Sequence, residues 1–96
     1  MRVEPLTVRA EATPNPEAMK FALNREFFDP RRGQTFTEPA EAFLSPLARA
    51  LFAVPGVAGV FLLRDFVTIR RAPGGDWALI APAVEGTLHE FFADAG

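Results

Sequence analysis

His89 is the single histidine of the chain. It falls between Leu88 and the pair Phe91–Phe92, near the end of an apolar-periodic stretch. An imidazole can act as base or metal ligand. Here there is no cysteine for it to activate, and no serine stands in a nucleophile-elbow context. A surface or helix-cap histidine fits better, its cationic form favoured by the helix dipole. Glu38 and Glu41 lie three apart and could meet on one helical turn, with Asp29 nearby in sequence. Three carboxylates can hold a hard cation, but the EF-hand spacing is absent. Solvated acids are the simpler reading. The alternative kept beside it is a metal-binding module using oxygen ligands and His89. Gly74-Gly75 lacks the flanking pattern of a phosphate loop, and no lysine follows it. Ser45, before Pro46, is a helix cap rather than a nucleophile. No catalytic residue, metal ligand or cofactor is therefore assigned, and the chain is not read as an enzyme.

The polar groups that remain cluster around Thr13 to Phe21, TPNPEAMKF. Thr13 and Asn15 sit on a backbone with two prolines, where turn formation competes with recognition. Lys20 is the only lysine and points away from the face of Met19 and Phe21. Arg31-Arg32 and Arg70-Arg71 are isolated pairs. The candidate partner-binding residues are Thr13, Asn15, Met19, Lys20 and Arg70, on the loop and the adjoining strand edge, since an exposed edge can accept an extended peptide.

Totals narrow the classes. At 96 residues the chain reads as a single domain. Hydrophobic residues make up 49% and charged ones 23%, too apolar for disorder. Ten phenylalanines and no tyrosine mark the aromatics as mostly core filler. A formal net charge of −2 argues against nucleic acid, which needs clustered Lys and Arg. No cysteine means no disulfide, thiolate or Cys-held cluster within these residues. The N-terminus shows no apolar signal-peptide core, and the run Val54 to Leu63 is far short of the ~20 residues of a membrane span. A cytoplasmic monomer, off the membrane, is the expectation.

These residues must be positioned by short elements. Leu6 to Ala12 and Met19 to Leu23 alternate with period two and read as strands around the Pro14–Pro16 break. Gln34 to Thr37 reads as a short third strand, and Thr37 to Phe43 as a helical turn with Pro39 at its start. Ser45 and Pro46 open a helix with Leu47, Ala50, Leu51 and Val54 as its stripe, ended by Pro55-Gly56. Val57 to Leu63 and Phe66 to Arg71 form a hairpin about Arg64-Asp65, with Val67 and Ile69 on one face and Phe66 and Thr68 on the other. Asp76 caps a helix from Trp77 to Ala93, whose stripe is Trp77, Ile80, Ala81, Val84, Leu88, Phe91 and Phe92. Pro82 should loosen its first turn. The fold class is α+β: a two-layer sandwich in βββ-α-ββ-α order, mostly antiparallel, with two helices on one face. The crossover from third to fourth strand is a candidate parallel pairing.

TPNPEAMKF, then SPLARALFAVPGVAGVF, then DFVTI, then DW and a last helix ending in FF, resemble the N-terminal domain of Nfu/NifU-type iron–sulfur scaffold proteins, from about Arg9 to Phe92. The resemblance implies a small α+β sandwich. It matches Thr13, Pro14, Asn15, Pro16, Met19, Lys20 and Phe21 to the first motif; Ser45, Pro46, Leu47 and Phe52 to the second; and Asp65 and Phe66 to the hairpin. In the family a Cys-x-x-Cys domain often follows and holds the cluster. The present residues read as the N-terminal domain standing alone, so cluster binding is not carried over. The expected function is a non-enzymatic protein- or peptide-interaction module, an accessory to cluster assembly, with a cysteine-bearing iron–sulfur assembly protein as partner; the alternative is an iron-binding module using oxygen ligands.

Overall fold

Period-two alternation becomes strand wherever it was legible. The computed structural model describes residues 4–93. Five strands, β1 (Val8–Ala12), β2 (Ala18–Leu23), β3 (Gln34–Phe36), β4 (Val57–Leu63) and β5 (Phe66–Arg71), form one sheet in the order β1-β2-β5-β4-β3. A 3₁₀ turn (Pro39–Ala42) and helix α1 (Pro46–Phe52) link β3 to β4, and helix α2 (Trp77–Ala93) follows β5. The expected element order and α+β class hold.

Every pairing is antiparallel, β3 with β4 included. The candidate parallel crossover is thus corrected. A parallel return needs a helix that carries the chain back along the sheet. The seven residues of α1 rise only about 10 Å, against about 23 Å for the seven of β4. The connection through this short helix instead delivers the chain back beside the end of β3, where Phe36 pairs with Val60.

Register puts Phe21, Val67 and Leu62 in one row across β2, β5 and β4, and Met19, Ile69, Val60 and Phe36 in the next. These side chains join Leu47, Ala48 and Leu51 of α1 and Ile80, Val84 and Leu88 of α2 in one core cluster. Both helices therefore cover the same face. Two stripe assignments change. Ala48 rather than Ala50 is buried in α1, whose covered side runs through Leu47, Ala48 and Leu51. Phe91 is 38% exposed, its ring edge-on to Phe92, which takes the inward place against Phe27. Helix α2 runs through Pro82, whose ring lies on the exposed side.

Caps form as the residue types require. Ser45 Oγ accepts from the Ala48 N–H at 3.2 Å, and Asp76 Oδ1 from that of Ala78 at 2.9 Å. The β4–β5 turn holds Arg64 at φ 50, a left-handed conformation that costs a non-glycine residue about 1–2 kcal/mol. It is held from outside: the Arg64 carbonyl accepts from the N–H groups of Phe27 and Phe28 at 2.8 and 3.1 Å, and the Asp65 carbonyl from that of Leu23 at 2.8 Å. The irregular segment between β2 and β3 thus clasps the hairpin tip. No helix among the described residues is long and apolar enough to cross a membrane.

Two glycines predict opposite signs. A Cβ at Gly33 would lie 2.5 Å from Cζ of Phe61, whereas one at Gly86, inside α2, meets nothing within 4 Å. Gly33→Ala should destabilise the domain by about 1–3 kcal/mol through displacement of the Phe61 ring. Gly86→Ala should stabilise it by about 1 kcal/mol through helix propensity. Urea midpoints with an unchanged slope measure both.

Candidate functional site

The five candidate residues do not form one patch. Thr13 and Asn15 are spent on their own loop. The Thr13 hydroxyl lies 2.8 Å from the Asn15 carbonyl and 2.9 Å from that of Ala18, and accepts from the Asn15 N–H at 3.2 Å. Asn15 Oδ1 accepts from the Glu17 N–H at 3.0 Å, and the Asn15 carbonyl from that of Ala18 at 3.0 Å. Such side-chain to backbone bonds close a turn around two prolines that cannot donate. Met19 packs against the helix-covered core.

The loop is also stapled from outside by two residues the candidate set omits. Arg71 reaches both carboxylate oxygens of Glu17, at 3.3 and 3.1 Å, and donates to the Gly75 carbonyl at 3.1 Å. Trp77 Nε1 donates to the Pro16 carbonyl at 3.0 Å, with the Arg71 guanidinium 5.7 Å from its ring centre. This half-buried tryptophan joins the start of α2 to the tip of the first hairpin. A fork-shaped cation on a carboxylate and an indole N–H on a carbonyl are directional contacts, so they fix the loop's position.

Lys20 and Arg70 stand elsewhere, on the sheet face that no helix covers. The pairings Ala18↔Arg70, Lys20↔Thr68 and Ala22↔Phe66 place them on one side of β2 and β5, and Phe61↔Thr68 and Thr35↔Phe61 continue that side across β4 and β3. An aromatic row runs through it. Phe61 and Phe66 have ring centres 6.1 Å apart, and the Lys20 ammonium lies 4.4 Å above Phe66. All three residues are half-buried. Phe61 can lie flat toward the edge because Gly33 has no side chain there. Arg70 donates to the Ala58 carbonyl at 3.1 Å. Neither Lys20 nor Arg70 is in a salt bridge among the described residues. Glu11, opposite Lys20 on β1, is engaged by Arg9 at 2.7 Å.

Period two in β5 already separates Phe66 and Thr68 from Val67 and Ile69. With only two apolar helix stripes to cover one face, the side of Phe66 had to remain open. That signal was available for Phe61, Phe66 and Thr68.

The titratable groups weighed as ligands lie apart. His89 is exposed on α2, beside an open cleft of about 340 Å³ shared with Glu4, Leu6, Arg25 and Phe92. Glu41 turns back to Thr37, accepting from its N–H at 2.7 Å and from its hydroxyl at 3.1 Å. The Thr37 backbone bond, then its hydroxyl, holds the Glu41 carboxyl below its ordinary 4.5. Among the described residues no three His, Asp or Glu side chains gather as metal ligands would.

Two predictions follow from this geometry. Because the Glu41 pKa is depressed on folding, its contribution is complete above the unfolded value and fades as pH falls through the folded one. An NMR titration should place the Glu41 midpoint below 4.5, and Thr37→Val should return it only part of the way, since the backbone bond stays. Separately, Thr13→Val should cost about 1 kcal/mol and speed amide exchange at Glu17 and Ala18. Lys20→Met and Arg70→Met should change stability by less than about 1 kcal/mol. A reversal of that order in thermal unfolding would make the loop the free surface and the open face the structural one.

Comparison with known proteins agrees with this fold. The family model described as scaffold protein Nfu/NifU N terminal matches residues 8–95. A Drosophila sechellia protein, "NFU1 iron-sulfur cluster scaffold homolog, mitochondrial", is 40% identical over 86 residues, which cover 90% of this chain and 30% of that protein. The Drosophila grimshawi protein of the same name is 38% identical over 86 residues, covering 90% of this chain and 29% of its own. The chain thus spans about 30% of the length of such relatives. Among solved structures, a NifU-like protein from Saccharomyces cerevisiae superposes with a TM-score of 0.81 at 26% identity, covering 97% of this chain and 84% of that one. A Staphylococcus aureus protein superposes at 0.69 and 22% identity, covering 88% of this chain and 99% of that one, a likeness of fold alone.

Proposed function

The chain belongs to the Nfu/NifU N-terminal domain family of iron–sulfur scaffold proteins, and on that premise we propose that it is a non-enzymatic protein-interaction module in cluster assembly, docking partners on its open sheet face. The family supports the assembly role. The single observation that carries the docking role is the uncovered face itself. It presents Phe61, Phe66, Lys20 and Arg70 together, held by the central strands of the sheet. Solvation alone calls for scattered charge, whereas aromatics beside an arginine are what interfaces are enriched in. The rigid strands beneath mean little ordering cost on binding.

The partner that suits the role carries the thiolates these residues lack. This chain then supplies recognition and placement, and the partner supplies the ligands. In a separate protein or on the same polypeptide, that division of labour needs no titrating group on this domain.

The test immobilises the domain and measures which proteins it enriches from an extract of the source cells. Iron–sulfur cluster proteins and cluster-assembly factors should dominate. Lys20→Glu with Arg70→Glu should cut that enrichment at least tenfold at an unchanged melting temperature, and Thr13→Val should leave it intact. Enrichment that ignores the double charge reversal, or that follows the loop variant, rejects the open face as the docking surface.

A further inference from the structure

Within the open face lies a notch whose shape and charge specify an occupant. It is a groove of about 210 Å³ at the corner where β3 ends, lined by Ala18, Thr35, Gly59, Phe61, Thr68 and Arg70. Four strands contribute to it. Its depth comes from side-chain size: Ala18 and Gly59 both pair with Arg70 from opposite sides, and neither fills the space beside it. The β4–β5 ladder slips between Val57 and Gly59, and such a bulge re-aims the side chains next to it. A Cβ on Gly59 would lie 3.1 Å from Nε of Arg70, so the glycine lets the guanidinium lie against the strand and reach the Ala58 carbonyl.

Size decides between ligand classes. Small-molecule sites run from about 300 to 1,000 Å³. A groove of about 210 Å³ falls below that range and suits one apolar side chain of a larger partner. Charge then decides what surrounds that side chain. The chain carries a formal net charge of −2, yet the strand residues of this face include the cations Lys20 and Arg70 with a single acid, Glu11, already engaged by Arg9. Two cations are too few for a nucleic-acid backbone, where affinity grows with the number of phosphates neutralised. They are enough to set the orientation of a short acidic segment.

We propose that the notch between Ala18, Thr35, Phe61 and Thr68, beside the Arg70 side chain that lies over Gly59, takes a single apolar anchor side chain from an acidic segment of a partner protein, with that segment's carboxylates paired to Arg70 and Lys20. The inference rests on the open face being the docking surface and adds the chemistry of what docks there. The anchor gives burial, and the two cations, diagonal neighbours on the adjacent strands β2 and β5, give direction across the strands.

The probe is an end-blocked nine-residue peptide with a central Leu flanked by alternating Glu and Ser. Two controls replace every Glu by Lys, or the central Leu by Ala. In ¹⁵N-correlated NMR titrations the acidic peptide should give saturable shifts centred on Gly59, Thr68 and Arg70, weakened as salt rises. The Leu-to-Ala control should bind at least fivefold more weakly, and the Lys control should not saturate. Ala18→Leu, which fills the notch, should weaken the acidic peptide at least tenfold, as should Lys20→Glu with Arg70→Glu. Equal binding by the Lys control, indifference to the central Leu, shifts centred on the Thr13–Glu17 loop or on the exposed apolar pair Phe43–Leu44 just before α1, or a single-stranded DNA oligomer that outcompetes the peptide would each overturn the proposal. If the peptides fail while the charge-reversed domain still loses its extract partners, the anchor chemistry is wrong and the docking face stands. If the peptides bind as described while extract enrichment ignores the same variants, the docking role is wrong and the notch stands.

Discussion

Two helices of seven and 17 residues can bury one face of a five-stranded sheet and no more. That shortage of apolar cover organises the molecule. Every fully buried side chain of the sheet points to the helix side, where Phe21, Val67, Leu62 and Ile69 meet Leu51, Val84 and Leu88. Among the described residues no polar or charged side chain is buried and no buried side-chain polar atom lacks a partner. The core is therefore purely apolar, so its specificity comes from fit and register. A one-residue slip of β5 would swap Val67 and Ile69 for Phe66 and Thr68, and the clasp on Arg64 and Asp65 prevents it.

The other face has to remain soluble without cover. It does so by packing its aromatics against each other and under a cation, which removes part of their surface from water while leaving the ring edges reachable. The edge strands show the opposite strategy. β1 carries Arg9 and Glu11 as an exposed ion pair, and β3 has only three residues. Charge and brevity both discourage strand addition at an edge. The edge route to peptide binding, attractive from sequence alone, is thus the one the fold discourages, and the sheet face is the one it leaves open.

Much of this was legible in the residues. Alternation in β1, β2 and β5, the Ser45–Pro46 and Asp76 caps and the Arg64-Asp65 break all depend on neighbours within a few positions, and all formed as read. What failed was long-range. Whether β3 pairs parallel or antiparallel depends on where a 20-residue excursion returns, which no local period encodes. Thr13, Asn15, Met19 and Lys20 are near one another in sequence, and that proximity suggested one site. The fold separates them: two close a turn, one faces the core, one faces solvent. Arg70 joined Lys20 through the β2–β5 pairing, across 50 positions of chain. Phe61 and Phe66 looked like core filler by composition. They lie on the wrong side of their strands to be core once the helices are counted.

The missing thiolates then take on a physical meaning. On the proposed reading, a domain with no cysteine among its own residues raises the rate of cluster handling by holding a cysteine-bearing partner near its target. Such tethering works through effective concentration, which reaches millimolar values for short connections and adds to affinity without any new contact at the reacting group. It demands a rigid binding face and modest affinity, since a partner held too tightly is not released. A flat, pre-formed sheet face with two cations and one shallow notch meets that demand. A deep, dehydrated pocket would not. The same argument explains why the loop that heads the family resemblance is built so firmly. Thr13, Asn15, Arg71 and Trp77 fix the end of β2, and β2 in turn sets where Ala18 and Lys20 stand beside Arg70. On the proposed reading, the TPNPEAMKF stretch serves recognition through the strand it positions, and its polar side chains need never touch the partner.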